Sequence, residues 1–467
     1  MKKEETTNKM GTKPIPNLLL SMGTPMILSM MMQALYNIVD SAFVSNIPGN
    51  GEQALNALTL AFPVQMLMVA LGIGTGVGVN ALLAKSLGQE DGEKVNRTAG
   101  NGVLLAGIIY ILCVLFGVFG VDAYVGTQTT NSQIITMAVE YLKICCILSF
   151  GIVFFSLYEK ILQATGRSLF STIAQIAGAV TNIVLDPIFI YGLIGCPEMG
   201  VKGAAYATVI GQIVSMVVAL LFHFIWNKEI SNKLMYLVPS GKIILGIYSI
   251  GLPAIIAQAL MSVMTYGLNV ILVTIDEAVV TAYGLFYKIQ QFILFAAFGL
   301  RDAITPVVSF NHGMRSKERV KEGIRYGTLY TLVIMVLGLL LLELFAKPIS
   351  TTFGLSGVTQ QFCIDAMRIV SISFLFAGVN IAFQGVFQAL DSGFESLVIS
   401  ICRQFLFVLP VAWGFAQLGK QSTDWIWTVW LTFPIAEIIS CIISVLFMKR
   451  IMGKKVSTVE LGINLYI

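Results

Sequence analysis

Twelve long apolar stretches constrain this 467-residue chain more than any other feature of its sequence. A helix needs roughly 20 apolar residues to cross the hydrocarbon core of a bilayer, and each stretch is long enough. Their hydrophobicity is continuous, which excludes the alternating pattern of a membrane β-barrel. The predicted spans cover residues 17–45, 54–84, 97–120, 134–158, 168–194, 202–226, 243–273, 278–307, 323–345, 360–389, 396–418 and 425–448.

The composition agrees with a chain surrounded by lipid. Hydrophobic residues make up 56% of the sequence and charged residues only 12%. These values exclude a disordered chain, a coiled coil, a disulfide-stapled secreted module and an ordinary cytosolic enzyme. The net charge of +4 is too small to indicate nucleic-acid binding, and neither the seven cysteines nor the two histidines have ligand spacing. We expect an all-α integral membrane protein that is not an enzyme and holds no metal or cofactor.

The distribution of Lys and Arg predicts the orientation of the spans. Of the 29 basic residues, 21 lie in the two terminal segments and in the loops on the same side of the predicted membrane. The opposite loops hold three, Lys202, Lys347 and Lys420. Because cytoplasmic loops carry the excess of Lys and Arg, both termini are predicted to be cytoplasmic.

The two halves of the chain resemble each other. Residues 88–95, at the end of the second span, match 313–320, at the end of the eighth, and Gln163 matches Gln388 at the same offset of 225. Six spans separate the copies, so both halves enter the membrane in the same sense, and transporters with such parallel repeats bind substrate between the halves. The predicted organisation is a cytoplasmic tail (1–16), a six-helix N lobe (17–226), a linker (227–242), a six-helix C lobe (243–450) and a cytoplasmic tail (451–467).

Two aspartates lie deep in predicted spans of the first half. Asp40 is about 33 Å along the first span and Asp186 about 27 Å along the fifth, at similar depth in the outer half of the membrane. Tyr36 and Asn182 precede them by four residues, which places each pair on one helix face. The four side chains could form one polar cluster that carries a proton or binds Na⁺. The alternative is structural, with each aspartate capping a local helix break.

Further charged residues within the spans are secondary candidates. Glu437 lies near mid-membrane and is the carboxylate candidate of the second half. Lys288 is predicted either to contact the transported molecule or to balance Glu437. Glu140 and Lys143 are three residues apart on one helix and are expected to neutralise each other.

Side chains near the inner ends of the spans are expected to extend to water. These are Glu159, Lys160, Arg301, Asp302 and Arg403. Glu159 is also a secondary site candidate. Other polar side chains at membrane depth, in both halves, are candidates to line a substrate cavity: Gln33, Gln65, Gln258, Tyr283, Tyr287, Gln290, Asn380 and Gln384.

Several short motifs together resemble the multidrug and toxic compound extrusion (MATE) family, over nearly all of residues 17–450. Each motif alone has little specificity. They are Gly23-Thr-Pro25, Leu35-Tyr-Asn-Ile-Val-Asp40, Leu58-x-x-Ala-Phe-Pro63, Gly88-Gln-x-x-x-x-Lys94, Gln163-Ala-Thr-Gly166 and Asn182-x-x-Leu-Asp-Pro187.

The resemblance implies a cation-coupled exporter of amphipathic, often cationic, drugs or toxins, built from two six-helix lobes in the wider MOP superfamily. The paired aspartates look like the N-lobe site of the DinF-like and MepA-like bacterial branch, where the site is implicated in proton coupling. A monomer in a bacterial plasma membrane is therefore expected, with H⁺ as the coupling ion and Na⁺ as the alternative. A lipid-linked precursor flippase of the same superfamily is the second reading.

The chain departs from the family pattern at two places. Sodium-coupled relatives carry acidic residues in the seventh and tenth helices, where this chain has Gln258 and Met261, then Asn380 and Gln384. Late in the fourth span, where many relatives carry asparagine, it has Glu159. The first departure argues against a C-lobe Na⁺ site of that kind.

Overall fold

The computed structural model describes residues 8–352 and 355–457, and within them the chain is helical, with no strand. The outer parts of both predicted tails, 1–7 and 458–467, lie outside the described residues. The helices are α1 (Lys9–Thr12), α2 (Ile15–Ser45), α3 (Gly51–Gly88), α4 (Gly92–Phe119), α5 (Val121–Gln128), α6 (Ser132–Ile147), α7 (Phe150–Ala164), α8 (Ser168–Tyr191), α9 (Val201–Trp226), α10 (Gly241–Val273), α11 (Glu277–Gly313), α12 (Lys317–Thr352), α13 (Gly357–Ser371), α14 (Phe374–Ala389), α15 (Gly393–Ile401), α16 (Val408–Gly419) and α17 (Thr432–Ile451). Short 3₁₀ segments cover Leu234–Leu237 and Thr423–Leu431, and π-helical segments cover Cys402–Leu406 and Met452–Val456.

Ten of the helical segments in the described part are long and apolar enough to cross a membrane, or twelve if each of two bent helix pairs counts as one span. The bent pairs are α6 with α7, at 47°, and α13 with α14, at 54°. The predicted all-α membrane fold is confirmed. Neither break, at 148–149 or at 372–373, contains a proline. The helices instead continue through Pro25, Pro63 and Pro187.

The internal repeat is visible in the helix boundaries. α3 ends at Gly88 and α11 at Gly313, and α9 ends at Trp226 and α17 at Ile451, each 225 residues apart. The inner turns match as well. Glu90 and Arg315 are both left-handed, each with φ +58°, and Gly166 (φ +82°) corresponds to Asp391 (φ +53°). The same turn, strained for the non-glycine residues, therefore follows the same helix in both copies.

The chain divides into two compact units. The first contains Asn8 and Leu28–Ile255, and is called the N unit here; the second, the C unit, contains Lys9–Ile27 and the described residues from Ile256 onward. The C unit thus contains the start of α2, and the remainder of α2 belongs to the N unit. The N unit contains the start of α10, and the remainder of α10 belongs to the C unit.

Glycine contacts explain this exchange of helix halves. In the N unit a Cβ on Gly251 of α10 would lie 2.8 Å from the Gly74 carbonyl oxygen of α3. In the C unit a Cβ on Gly299 of α11 would lie 2.7 Å from Ile27 Cα of α2. Gly74 and Gly299 are repeat equivalents, and small residues let helix backbones approach this closely in membranes.

Candidate functional site

The candidate site lies in the N unit, where α2 and α8 present the two aspartates. Asp186 is fully buried and Asn182 is 2% exposed. The Asn182 Nδ2 group donates to Asp186 Oδ1 at 3.3 Å and is 3.5 Å from Thr208 Oγ1 of α9. The i,i+4 spacing on α8 therefore produces a direct contact, as the sequence suggested.

Asp40 and Tyr36 of α2 complete the group. The Asp40 and Asp186 carboxyls are close enough to interact electrostatically, and the Tyr36 hydroxyl interacts with both. The structure thus brings all four predicted side chains together. The outer end of α8 is attached to α2 by Tyr191, whose hydroxyl donates to the Phe43 carbonyl oxygen at 2.7 Å.

Three buried oxygen atoms in this group have no hydrogen-bond partner among the described residues. They are Asp40 Oδ1, Asp186 Oδ2 and Asn182 Oδ1. All three are acceptors, so no rearrangement among them can satisfy them. A buried acceptor without a donor costs about 1–3 kcal/mol, and more if it is charged. The site is therefore arranged to receive a proton or another cation.

Two glycines set the distance between α8 and α9. A Cβ on Gly178 would collide with Ser215 Oγ and with the Gly211 carbonyl oxygen of α9. A Cβ on Gly211 would lie 3.0 Å from Asn182 Cβ. This close approach brings Thr208, one turn before Gly211, within reach of Asn182.

Three neighbours of the site were not predicted from the sequence. Tyr141 and Cys145 of α6 interact electrostatically with Asp40, and Thr208 contacts Asn182. Gln65, predicted as a cavity residue, contacts this α6 pair, since its Nε2 is 3.0 Å from the Tyr141 hydroxyl oxygen. Tyr141 and Cys145 are four residues apart, so the polar face of α6 could have been recognised from spacing alone.

A small cavity of about 40 Å³ continues from this group into the N unit. Of the predicted residues, Gln33, Tyr36, Asn182 and Glu159 line it. Glu159 was expected to extend to water, yet it is only 9% exposed, and the adjacent Lys160 is 2% exposed. That expectation is wrong because α7 is enclosed by packed helices at this depth.

The C unit contains a different polar cluster. Arg403, expected to extend to water, is 7% exposed and pairs with the Glu437 carboxylate through Nε and Nη2, at distances down to 2.7 Å. Asn380 Nδ2 donates to Glu437 Oε2 at 2.8 Å, and Ser444 Oγ donates to Asn380 Oδ1 at 2.7 Å. Arg403, rather than Lys288, therefore balances Glu437.

The other C-unit candidates are spread through its helices. Gln384 donates to Ser400 Oγ at 2.6 Å. Tyr283 is 1% exposed in the hydrophobic core and lies near Tyr287, with ring centroids 5.7 Å apart. Gln258 and Gln290 are half-buried on α10 and α11, and Lys288 is exposed. These residues belong to the C unit, whereas the aspartate site belongs to the N unit.

Two further expectations about charged residues are wrong. Glu140 and Lys143 do not neutralise each other. Lys143 pairs with Asp122 at 2.6 Å, and Glu140 pairs with Lys202 at 3.0 Å. Arg301 and Asp302 pair at 2.9 Å, with 20% and 5% of their side chains exposed, so Asp302 is buried rather than in water.

Comparison with known proteins decides the family. The MatE family model matches residues 25–188 and 253–413, one segment in each half of the repeat. The chain belongs to the MatE family. It is therefore a multi-pass membrane transporter and not an enzyme, as the sequence predicted.

Full-length relatives and solved structures agree with the assignment to this MATE family. The chain is 23% identical to the multidrug export protein MepA of Staphylococcus saprophyticus, over 95% of this chain and 96% of that protein. It is also 23% identical to MepA of a Staphylococcus aureus strain, over 96% and 98%. An outward-facing MATE transporter of the MOP superfamily matches with a TM-score of 0.89 and 25% identity, over 98% and 99%. A MOP superfamily transporter from Pyrococcus furiosus, described as having a binding pocket of reversed polarity, also matches. Its TM-score is 0.87 and its sequence identity 26%, over 97% of this chain and 99% of that chain.

The side chains of the site offer oxygen atoms to a proton or a cation. No group of three or more His, Cys, Asp or Glu side chains able to hold a metal ion occurs among residues 8–352 and 355–457. Two carboxyls, one amide oxygen and one hydroxyl remain as ligands. Such oxygen atoms accept a proton directly or coordinate a hard cation.

Proposed function

We propose that this chain is a proton-coupled antiporter that exports amphipathic, often cationic, small molecules across a bacterial plasma membrane. The observation that carries the proposal is the pair of adjacent carboxyls at Asp40 and Asp186, each with a buried oxygen that has no donor. Export of multiple drugs is what the names of the MepA relatives state, and the near-complete coverage of those relatives supports carrying it over.

Protonation changes the hydrogen bonding of the site. A carboxylate can only accept, whereas a carboxylic acid also donates one hydrogen bond. One proton placed on Asp40 or Asp186 would supply a donor to a facing acceptor and remove the repulsion between two charges. The same proton also weakens the attraction of the site for a positively charged molecule. Proton binding and cargo release are thereby linked in the N unit, which is the requirement for antiport.

The test is transport of ethidium by proteoliposomes under an imposed pH gradient, and separately under an imposed Na⁺ gradient. We expect the wild type to transport under the pH gradient. We expect Asp40→Asn to lose that transport, because an amide does not bind or release a proton over the pH range of the imposed gradient. Asp424→Asn, which removes an exposed carboxylate on the 3₁₀ segment before α17, is the control and should behave as wild type.

Each other outcome points to a specific alternative. Transport under the Na⁺ gradient alone would replace H⁺ by Na⁺ as the coupling ion, since the same oxygen atoms are suitable ligands for it. No transport under either gradient would overturn the exporter and favour the flippase. Unchanged transport by Asp40→Asn under the pH gradient would remove the aspartate site from the mechanism.

A further inference from the structure

The cavity of the N unit extends inward from the aspartate site. Asn182 is 14 residues from the inner end of α8, or about 21 Å, whereas Glu159 is five residues from the inner end of α7, or about 8 Å. Both line the cavity. It therefore covers about 13 Å of depth, between the aspartates and the end of α7 that is predicted to be cytoplasmic.

The size of the cavity decides what can occupy it. It leaves about 40 Å³ of space for the centres of water molecules. One water needs about 10–15 Å³ on that measure, so two to four waters fit. Pockets for drug-sized ligands are about 300–1,000 Å³. The cavity can hold a short chain of water molecules and cannot hold the exported molecule.

The cavity wall is suited to water. It carries amide and hydroxyl groups along its length, from α2, α7, α8 and α9. These are Gln33, Ser156, Gln175, Thr208, Gln212 and Ser215. Polar cavities of sufficient size are hydrated, because each water needs two to four polar partners.

Glu159 is held at the inner end of the cavity by a defined network. Gln163 Nε2 donates to Glu159 Oε1 at 3.1 Å, and Lys160 Nζ donates to Gln163 Oε1 at 3.1 Å. The backbone of α7 is fixed here by Asn80, whose Nδ2 donates to the Lys160 carbonyl oxygen at 2.9 Å. An acid and a base, both buried, are thus bridged by one amide. The positive charge of Lys160 offsets part of the cost of burying a carboxylate.

Few titratable groups lie around the cavity among the residues that the structure describes. On α7 they are Glu159 and Lys160, on α2 Tyr36, and on α8 Asp186 lies one turn beyond the lining residue Asn182. The lining residues contributed by α3 and α9 carry no ionisable group. Glu159 is therefore the acidic side chain of the cavity wall itself.

The equivalent positions of the C unit are arranged differently from those that line the N-unit cavity. The repeat offset of 225 relates Glu159 to Gln384 and Gln175 to Ser400, and in the C unit these two bond directly at 2.6 Å. It also relates Gly178 to Arg403 and Gln212 to Glu437, which form the buried ion pair. Positions that line a cavity in one copy are joined to each other in the other copy.

We propose that the N-unit cavity is the inward proton route of the transporter and that Glu159 is its inner relay group. A proton leaves the carboxylic acid of Asp186, passes along cavity water, and binds the Glu159 carboxylate. Glu159 then releases it toward the cytoplasm, so both carboxylates are restored and charge is balanced. This inference rests on the proposed proton coupling and adds the route by which the proton leaves.

The test measures proton movement and cargo binding separately. Proteoliposomes are loaded with a pH-sensitive dye, the membrane potential is clamped, and an ethidium gradient drives proton counter-movement. We expect Glu159→Gln to bind ethidium within about twofold of wild type but to move protons at least about tenfold more slowly. Glu159→Asp, which keeps a titratable group, should recover part of the rate. Gln175→Leu, which makes the cavity wall less polar, should also slow proton movement.

The control is Glu343→Gln. Glu343 is a half-buried carboxylate of α12 in the C unit that accepts a hydrogen bond from Ser371 Oγ at 2.9 Å and does not line the cavity. It should move protons as wild type does. If Glu159→Gln also moves protons at the wild-type rate, the route is wrong while the exporter stands. If it loses ethidium binding in parallel, Glu159 contacts cargo and the route is again wrong. If the wild type moves no protons, the proposed proton coupling itself fails and the route with it.

Discussion

At the scale of single residues, the charged groups in the membrane divide into satisfied and unsatisfied sets. Arg403 and Glu437 satisfy each other through several hydrogen bonds, with Asn380 as a further donor. Within the part of the chain that the structure describes, Asp40 and Asp186 have no such counter-ion and retain buried acceptors without donors. A paired buried charge stabilises a particular packing, whereas an unpaired carboxyl responds to protons. This difference supports our proposal that the C-unit pair is structural and that the N-unit pair carries the coupling.

Removing one partner of the C-unit pair should be costly. We expect Arg403→Ala to destabilise the protein by about 3–5 kcal/mol, because Glu437 would remain buried without its counter-ion. The double variant Arg403→Met/Glu437→Gln removes both charges and should recover most of that loss. Thermal unfolding in detergent measures both. A double variant no more stable than the single one would show that the ion pair is not the source of the effect.

The contact between Asn182 and Thr208 should matter for transport more than for stability. Thr208→Val keeps the shape of the side chain but removes the hydroxyl near Asn182 Nδ2. We expect a loss of about 0.5–1.5 kcal/mol in stability and a measurable decrease in proton-driven efflux, since Asn182 is no longer held against α9. Thr181→Val is the control, because Thr181 donates only to the Ala177 carbonyl oxygen within α8. Equal effects of the two substitutions would contradict the assigned role of Thr208.

At the scale of helices, the two copies of the repeat use different means to join the same elements. In the N unit, Gly178 and Gly211 allow α8 and α9 to touch through their backbones. In the C unit, the equivalent of Gly178 is Arg403, which reaches α17 through its ion pair with Glu437. Arg403 lies in the π-helical segment Cys402–Leu406, and such segments are often found at functional or irregular packing sites. A small residue gives direct helix contact, and a long charged one gives a polar bridge.

The close contact of α8 and α9 can be tested at Gly178. Gly178→Ala should destabilise the protein by about 1–3 kcal/mol and lower efflux, because the new Cβ meets α9 atoms and would separate Thr208 from Asn182. Gly107→Ala is the matched control on α4, since nothing lies within 4 Å of its Cβ position. That substitution should be neutral or stabilise by up to about 1 kcal/mol. Equal destabilisation by both would exclude helix contact as the cause.

At the scale of the whole molecule, the two copies of the repeat keep their turns and helix ends but differ in their acidic residues. The left-handed residues and helix boundaries recur at an offset of 225. The acidic residues of the N unit do not recur, since Asp186 has Val411 at its equivalent position and Glu159 has Gln384. We therefore place proton chemistry in the N unit.

The orientation in the membrane is predicted from the positions of the basic residues and can be measured directly. A green fluorescent protein fused after Ile467 should be fluorescent, because it folds in the cytoplasm. Alkaline phosphatase inserted at Gly195, in the loop between α8 and α9, should be active, because that loop is predicted to lie outside. An inactive phosphatase at Gly195 would overturn the predicted orientation.

The sequence by itself determined the membrane-spanning helices, the repeat and the deep aspartates. Hydrophobic length decides whether a segment enters a bilayer, and a residue number along a helix fixes depth, so Asp40 and Asp186 could be placed at one level. Spacing of four residues also fixes which neighbours share a face, which predicted Tyr36 and Asn182. These properties are local, and no information about other helices is needed.

Only the tertiary structure decided which side chains from different helices meet. Burial of Glu159 and Arg403, the pairing of Arg403 with Glu437, and the contacts of Thr208 and Tyr141 depend on neighbours more than 25 residues away. Charged residues near predicted span ends were expected to extend to water, because the sequence does not show whether a helix faces lipid or is enclosed. The α6–α7 break and the cavity leading to Glu159 likewise arise from packing between helices, which no single segment encodes.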